Sequence, residues 1–205
     1  EDTIVAAVKD QLGRPFAATF DPKKTGDSIP KSPQQSLKLL QTKPNLRVEL
    51  VAAEPLVADP VAIAFGPDGK LWVAEMADYP TGKTDGKFDP GGRVVFLEDR
   101  DGDGRCDTRT VFLDGLPFPT GVLPWRKGVL VCAAPDILFA EDTNADGKAD
   151  VVTKLYSGFG TDNYQARVNG LQYGLDGWVY GSCGLFGGTI PCHTTGALVA
   201  HGDRD

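Results

Sequence analysis

Residues that commonly carry catalysis or bind transition metals are scarce in this sequence. Its 205 residues include two histidines, four cysteines and one methionine. The cysteines match neither a zinc-binding spacing nor the C-x-x-C-H motif that attaches haem. We also find no serine-histidine-aspartate set and no glycine-rich phosphate loop. Zinc, covalently attached haem and nucleotide phosphates are therefore not among the predicted ligands.

Positive charge is also in short supply. The chain has 21 lysines and arginines against 28 aspartates and glutamates, which gives a formal net charge of −7. This balance argues against binding to nucleic acid or to an anionic membrane surface, because both need a basic face. No apolar run approaches the ~18 residues of a membrane span, so we predict no span in this chain. An acidic balance suits the binding of cations.

Glycine and proline, in contrast, are abundant. There are 25 glycines and 15 prolines, and 41% of the residues are hydrophobic. The chain can therefore bury a core, and its frequent turns favour short strands over long helices. Ser32-Pro33 has the pattern of a capped helix start. We assign residues 1–45 to an N-terminal arm with a short helix. A weak helical pattern also occurs earlier, at Ile4, Val5, Val8 and Leu12.

From residue 46 onward, hydrophobic residues alternate or cluster as expected for β-strands. The first predicted strand is 46–51. A unit of four strands follows, at 61–65, 71–74, 93–97 and 109–113. The same order recurs at 121–125, 129–132, 137–140 and 151–156. A third unit begins with 169–173 and 178–180, and 196–200 is its predicted third strand.

Two acidic loops set the spacing of these units. The loops 99–107 and 142–150 begin 43 residues apart, which is typical of a four-stranded propeller blade. We therefore predict an all-β fold in which residues 46–205 form a partial β-propeller of about two and a half blades. A closed propeller needs about four blades or more, so we expect the rest to come from the same polypeptide or from another chain. A β-sandwich of the same strands is the alternative.

Both loops space their oxygens as a calcium-binding loop does. They read D-x-D-x-D-G-x-x-D and D-x-N-x-D-G-x-x-D, and a glycine at position 6 permits the sharp turn. Position 12 is threonine in both and the flanks are strands, so we predict structural calcium rather than an EF-hand sensor. A pair of solvated aspartate-glycine turns is the alternative. The predicted ligands are Asp99, Asp101, Asp103, the Arg105 carbonyl and Asp107, and in the second loop Asp142, Asn144, Asp146, the Lys148 carbonyl and Asp150.

The four cysteines allow three complete pairings, and the sequence does not choose among them. Cys183 and Cys192 flank a Gly187-Gly188 turn and could form a disulfide across a hairpin. Buried free thiols are the alternative.

Polar residues gather at the loop that enters the third unit and after the second strand of the first unit. Arg167 could hold a carboxylate in bidentate fashion, or it could pair with Asp162 or a blade carboxylate. Glu75 could contact a ligand or could be a strand-end residue in water. The candidate ligand-binding residues are Glu75, Tyr79, Asp162, Asn163, Gln165, Arg167 and Asn169.

The segments 46–55, 59–65, 71–76, 114–121 and 169–180 carry a family resemblance. Together they resemble a family of membrane-bound dehydrogenases of planctomycetes and verrucomicrobia, over roughly residues 32–205. The resemblance implies a propeller related to the soluble glucose and sorbosone quinoprotein dehydrogenases, in a protein of the periplasm or cell surface. It also implies a sugar or other polyol substrate, pyrroloquinoline quinone as cofactor, and further domains downstream.

One position departs from the quinoprotein dehydrogenases that the sequence resembles. Their general base is a histidine a few residues before the segment equivalent to 171–177, and Ala166 stands in that place. His193 and His201 match no part of the resemblance. Two hypotheses follow: a calcium-binding propeller portion of a dehydrogenase, or a non-catalytic calcium-stabilised propeller that binds carbohydrate or a protein partner.

Overall fold

The computed structural model describes residues 31–80, 90–186 and 188–202. The chain divides into two compact units, Glu1–Leu50 and Val51–Asp205. Twelve β-strands and one short helix lie in the described ranges, so the fold is all-β. Within the same ranges, no helix is long and apolar enough to cross a membrane.

The helix α1 (Pro33–Leu39) lies in the first unit. The Ser32 hydroxyl accepts the Gln35 N–H, and the Gln35 side chain accepts the Ser32 N–H at 2.9 Å. This reciprocal arrangement satisfies two backbone donors that a helix start leaves free. The predicted helix start at Ser32-Pro33 is thus confirmed. The weaker helical pattern from Ile4 to Leu12 lies outside the described residues.

The predicted strand at 46–51 is wrong. These residues form no strand, and Leu46 and Val48 are exposed. An alternating pattern becomes a strand only when a neighbouring strand supplies ladder partners. Here the Val51 carbonyl accepts a hydrogen bond of 2.8 Å from the Cys106 N–H, but no ladder follows.

Two four-stranded antiparallel sheets repeat the same meander in the second unit, which confirms the first two predicted units. Their strand orders are β1-β2-β3-β4 and β5-β6-β7-β8. The first sheet, blade 1, contains β1 (Pro60–Phe65), β2 (Leu71–Glu75), β3 (Gly92–Glu98) and β4 (Thr108–Leu116). The second sheet, blade 2, contains β5 (Gly121–Trp125), β6 (Gly128–Ala133), β7 (Asp136–Glu141) and β8 (Val151–Tyr156).

The third predicted unit is correct only in its first hairpin. β9 (Asn169–Tyr173) and β10 (Val179–Ser182) pair antiparallel as predicted. The segment predicted as the next strand instead forms β12 (Leu198–His201), which pairs with β11 (Gly188–Pro191). This separate ribbon is attached to the outer strand of blade 2, since a β-bridge links Tyr156 to Cys192.

Of the two alternatives for Cys183 and Cys192, the disulfide across a hairpin is therefore wrong. The strands before and after residue 187 pair with different partners, β10 with β9 and β11 with β12. All four cysteines are free thiols, and Cys132 and Cys192 are buried. Burial raises the pKa of the Cys132 thiol to about 12, so this group stays protonated at neutral pH.

The main apolar core lies between the two blades. Trp72 and Phe96 of blade 1 are buried against Val122 and Val131 of blade 2. The Trp72 ring also meets Phe112 edge-on, with 4.8 Å between centroids. Burying each such side chain contributes about 1.5–3 kcal/mol. Further apolar clusters cover the other face of each blade. The two sheets pack face to face in the order in which they follow along the chain, and this gives a partial propeller-like fold. We call the first strand of each sheet, β1 or β5, its inner strand.

Candidate functional site

The connections between strands alternate between two ends of the blades. The acidic loops join β3 to β4 and β7 to β8, so both lie at one end, the acidic-loop end. The end of β2, the β4–β5 link and the end of β8 lie at the opposite end, the cleft end, because successive strands of each sheet are antiparallel. Each end contains one group of predicted site residues.

The two acidic loops fold alike, around the carboxylate at position 1. Asp99 accepts the N–H groups of Gly102 at 2.8 Å and Gly104 at 2.9 Å. Asp142 accepts the equivalent donors from positions 4 and 6, at 2.7 Å in each case. The side chains at positions 3 and 5 also accept the N–H two residues further on in both loops. Every predicted side-chain ligand is therefore held within the loop.

The carboxylate at position 9 closes each loop. Asp107 accepts the Arg100 N–H at 3.0 Å, and Asp150 accepts the Thr143 N–H at 3.1 Å. In the first loop, oxygens of Asp99, Asp101 and Asp107 lie within 4.8 Å of one another. Three such oxygens, all exposed, are a donor set that suits a hard cation. The aligned loops thus agree in backbone path as well as in sequence.

Each loop also contacts the element that precedes its own blade. At position 8, the Ala149 N–H donates to the Phe112 carbonyl of β4 at 2.8 Å. The equivalent Cys106 N–H donates to the Val51 carbonyl, also at 2.8 Å. The second loop therefore fastens blade 2 to blade 1, and the segment around Val51 takes the equivalent place beside blade 1.

At the cleft end, two predicted segments meet across 86 residues of chain. The Gln165 Nε2 amide donates to the Tyr79 hydroxyl at 3.0 Å. The Tyr79 ring meets the Tyr164 ring edge-on, with 6.3 Å between centroids. These side chains line a cleft of about 490 Å³ beside the inner strands. Its polar and aromatic lining consists of Tyr79, Thr120, Tyr164, Gln165 and Asn169.

Sequence reasoning missed Thr120 as a cleft residue. Its hydroxyl contacts the Val168 carbonyl, which links the start of β5 to the start of β9. The only sequence signal was its place in the short Pro119-Thr120-Gly121 link between two blades. Asp162 and Asn163 belong to the predicted cluster but are exposed and do not line the cleft.

Glu75 does not line the cleft, because it is fully buried. Its carboxylate accepts the Ala58 N–H at 3.0 Å and pairs with Arg109 at 2.8 Å and Arg93 at 3.4 Å. The expectation of a strand-end residue in water is therefore wrong. Glu75 joins three strands of blade 1 and the segment before β1.

Arg167 is also buried, its Nε has no hydrogen-bond partner, and none of the ion pairs among the described residues involves it. The expected ion pair with Asp162 is therefore wrong. The guanidinium lies 4.9 Å from the ring centroids of both Phe118 and Tyr164, and its Nη2 donates to the Thr161 carbonyl at 2.7 Å. Burial lowers the pKa of Arg167, although Tyr164 and nearby Asp78 act in the opposite direction. Arg167 therefore positions Tyr164, one wall of the cleft.

Residues 32–205 match the family described as Domain of unknown function (DUF7133). The chain belongs to this family. No curated protein and no solved structure matches the chain. The family description gives no activity, so the acidic loops and the cleft are the features of this DUF7133 chain that bear on its function.

One further polar cluster in the DUF7133 chain brings a serine, a histidine and an aspartate together, but not in the order of a hydrolytic triad. The Ser157 hydroxyl donates to Asp136 at 2.6 Å and lies 2.8 Å from His193 Nε2. In a hydrolytic triad the aspartate orients the histidine, whereas Asp136 here binds the serine and Lys154. The cluster therefore lacks the bond that would make His193 a directed base, and it fastens the β11–β12 ribbon to blade 2.

Proposed function

We propose that this chain is a calcium-binding propeller segment whose cleft binds a sugar or another polyol, in an exported protein of the periplasm or cell surface. In this proposal, calcium braces the acidic-loop end and the ligand occupies the cleft end. The remainder of the propeller, downstream domains or another chain completes the protein. Recognition without catalysis is the version that the geometry supports best.

The observation that carries the proposal is the composition of the cleft. Its walls combine the rings of Tyr79 and Tyr164 and the apolar Val61, Ala62 and Met76 with the neutral hydrogen-bonding groups of Thr120, Gln165 and Asn169. A sugar ring presents apolar C–H faces that pack on aromatic rings, and hydroxyls that both donate and accept hydrogen bonds. Tyrosine, glutamine and asparagine side chains can match both roles of a hydroxyl.

Calcium binding is supported by the repetition of one loop structure at the same place in two blades. Both loops are closed by a position-9 carboxylate, and in the first loop oxygens of Asp99, Asp101 and Asp107 lie within 4.8 Å of one another. A dication in each loop would offset part of the net charge of −7 and the repulsion among neighbouring carboxylates.

A quinone-dependent sugar dehydrogenase is the second candidate, favoured by the sequence resemblance. The described lining of the cleft contains no histidine, aspartate or glutamate, and Ala166 stands where the resemblance places the base. An oxidation that removes a hydroxyl proton needs such an acceptor. For this reason we propose recognition ahead of catalysis.

Ligand binding is tested by calorimetric titration of calcium-loaded protein with a panel of neutral sugars and polyols. Replacing Gln165 by Ala removes the amide that bonds Tyr79, so we expect about tenfold weaker binding, as for loss of one or two hydrogen bonds. Gln172→Ala is the matched control, since Gln172 is exposed on β9 outside the cleft. Equal affinity of wild type and Gln165→Ala, or no binding to any sugar, would contradict the proposal.

Calcium binding is tested separately by titrating calcium into chelator-treated protein. We expect binding with a rise in thermal stability, which approaches ~2.7 kcal/mol at a free calcium concentration 100 times Kd. Asp99→Asn and Asp142→Asn each replace one carboxylate oxygen at position 1 by an NH2 group and remove its negative charge, and each should abolish one site. If millimolar calcium produces neither a heat of binding nor a rise in thermal stability, the proposal of calcium binding is contradicted. The proposal of ligand binding in the cleft is not affected by that result.

The dehydrogenase candidate has its own assay. Calcium-loaded protein is mixed with pyrroloquinoline quinone, a redox dye and the same sugars. Dye reduction above the rate of free quinone would favour catalysis over recognition. Quinone binding without turnover would point to a base supplied by another part of the protein.

A further inference from the structure

A second pocket lies at the cleft end and is formed by three separate segments of the chain. These are the β4–β5 link, the β6–β7 turn and the connection from β8 to β9. The pocket has a volume of about 400 Å³, and we call it the Arg167 pocket. Besides Arg167, it is lined by Pro117, Phe118, Ala134, Pro135, Thr161 and Tyr164. Of these residues, Tyr164 alone also lines the cleft.

Arg167 places a buried cation at this pocket. The residue is 5% exposed, and its Nε atom is shielded from solvent and has no hydrogen-bond partner. Its Nη2 donates to the Thr161 carbonyl, which carries no net charge. A buried charge is normally paired with an opposite charge, because removing it from water is costly. The guanidinium therefore lacks the negatively charged partner that its burial calls for.

The acidic residues that act electrostatically on Arg167 do not supply that partner. They are Asp78 and Asp162, and neither forms an ion pair with it. Asp78 is buried, and its Oδ2 accepts the Phe118 N–H at 2.8 Å, while its Oδ1 has no partner. Asp162 is exposed. An anionic group paired with the guanidinium therefore has to come from outside the described residues, and the pocket gives a ligand access to it.

The walls of the pocket select the kind of anion. Apart from Arg167, Thr161 and the Tyr164 hydroxyl, the lining is apolar and includes two prolines, Ala134 and the ring of Phe118. A planar carboxylate matches the fork of a guanidinium, and a hydrocarbon body suits apolar walls. Sulfate or phosphate would leave oxygens without partners against those walls. The pocket therefore favours a single carboxylate on an apolar molecule.

We propose that the Arg167 pocket binds an organic monocarboxylate, whose carboxylate pairs with the Arg167 guanidinium and whose hydrocarbon body packs against the apolar walls. The guanidinium lies 4.9 Å from the ring centroids of Phe118 and Tyr164, so two aromatic side chains hold it in place for the ligand. The proposal requires neither calcium in the acidic loops nor a sugar in the cleft.

Calorimetric titration of the full chain with benzoate, at constant ionic strength and up to millimolar concentration, tests this proposal. Benzamide is the matched control ligand, because it has the same shape and no charge. We expect benzoate to bind at least about tenfold more tightly than benzamide, as for one hydrogen bond to a charged group. We also expect it to bind more tightly than sulfate. No binding of benzoate, or equal binding of benzamide or sulfate, would overturn the proposal.

Two variants at Thr161 place the ligand in this pocket. Thr161 lines the pocket and is exposed, so both variants are expected to fold. Thr161→Glu adds a carboxylate that competes for the guanidinium and should weaken benzoate binding at least about tenfold. Thr161→Gln has the same size without the charge and should bind benzoate within about twofold of wild type. Equal benzoate affinity of the two variants would contradict pairing with Arg167.

Arg167→Gln removes the cation itself. This variant should lose the preference for benzoate over benzamide, and circular dichroism checks that it folds, since Arg167 also packs on Tyr164. A folded Arg167→Gln that keeps the preference would overturn the proposal. If this variant does not fold, the comparison of Thr161→Glu with Thr161→Gln decides.

Discussion

At the scale of single residues, the acidic loops differ at a position where the backbone is left-handed. Position 4 has φ 76° in Gly102 and φ 66° in Ala145. A side chain at such a φ costs about 1–2 kcal/mol, whereas glycine loses roughly 0.5–1 kcal/mol of chain entropy on folding. We expect Ala145→Gly to stabilise the calcium-free protein by about 0.5–1 kcal/mol.

The measurement is urea unfolding in the presence of a chelator. Gly102→Ala is the reciprocal variant and should destabilise by a similar amount, since a Cβ at Gly102 meets no atom within 4 Å. If both variants shift stability in the same direction, backbone conformation is not the cause.

A second residue-scale prediction concerns Asp142. Slight burial would raise its pKa, but the N–H groups of Gly147, Ala145, Asp146 and Asn144 outweigh it and hold the pKa below the ordinary 3.8. A depressed pKa in the folded state contributes stability that is present above pH 3.8 and is lost as the pH falls through the folded value. Wild type should therefore lose more stability on acidification than Asp142→Asn.

Thermal unfolding of chelator-treated wild type and Asp142→Asn, measured at pH values from neutral to acid, tests this prediction. Gln172→Ala, which changes an exposed residue and removes no titratable group, is the control and should leave the acid dependence of the wild type unchanged. Parallel curves for wild type and Asp142→Asn would contradict the role assigned to the carboxylate.

Residue roles were predictable where they depend on neighbours along the chain. The spacing of Asp99, Asp101 and Asp103 determines the loop contacts, because each acceptor binds an N–H two to five residues away. Glu75 looked like a ligand residue, since nothing local reveals that Arg93 and Arg109 come from later strands. Long-range partners decide its role.

At the scale of elements, Glu75 connects strands that would otherwise contact only through the ladder and apolar packing. Its carboxylate meets Arg93 at the start of β3 and Arg109 on β4. Removing one partner of a buried ion pair costs about 3–5 kcal/mol, and the partly exposed arginines place the effect near the lower bound. We expect Glu75→Gln to destabilise by roughly 3 kcal/mol.

Glu141→Gln is the matched control in blade 2. Glu141 pairs with Lys127 at 3.3 Å, and the lysine side chain is 84% exposed. An exposed pair contributes at most about 1 kcal/mol. Chemical denaturation measures the free energy of unfolding of both variants. Equal losses in Glu75→Gln and Glu141→Gln would contradict the difference expected between a buried and an exposed ion pair.

The same separation of local and long-range effects explains which elements the sequence revealed. Strands 61–65 and 71–74 were predictable because a two-strand hairpin turns at Asp68-Gly69, within a few residues. The segments 46–51 and 196–200 have equally good strand patterns. The segment 46–51 lacks a ladder partner, and the segment 196–200 pairs with β11 instead of β10. The alternation of hydrophobic residues does not determine which strand becomes the partner.

At the scale of the whole molecule, the two predicted groups of site residues lie at opposite ends of the same strands. The first group is held by hydrogen bonds within its own loops, and the second by contacts among the cleft residues. We therefore expect Gln165→Ala to weaken sugar binding and to leave the calcium affinity within about twofold of wild type, since distant sites act independently. Calorimetric titration of both ligands into this variant checks the separation.

The second acidic loop lies against blade 1 as well as on its own blade. Trp72 therefore shares a pocket of about 280 Å³ with Asp142, Ala145 and Gly147. Terbium takes the place of calcium in oxygen-ligand loops and emits light when a nearby indole transfers its excitation. Indole-excited terbium emission should therefore report the second loop, and should fall in Asp142→Asn and in Trp72→Phe but persist in Asp99→Asn. The contact between the second acidic loop and blade 1 would thus let Trp72 transfer its excitation to the ion in that loop and not to an ion in the first loop.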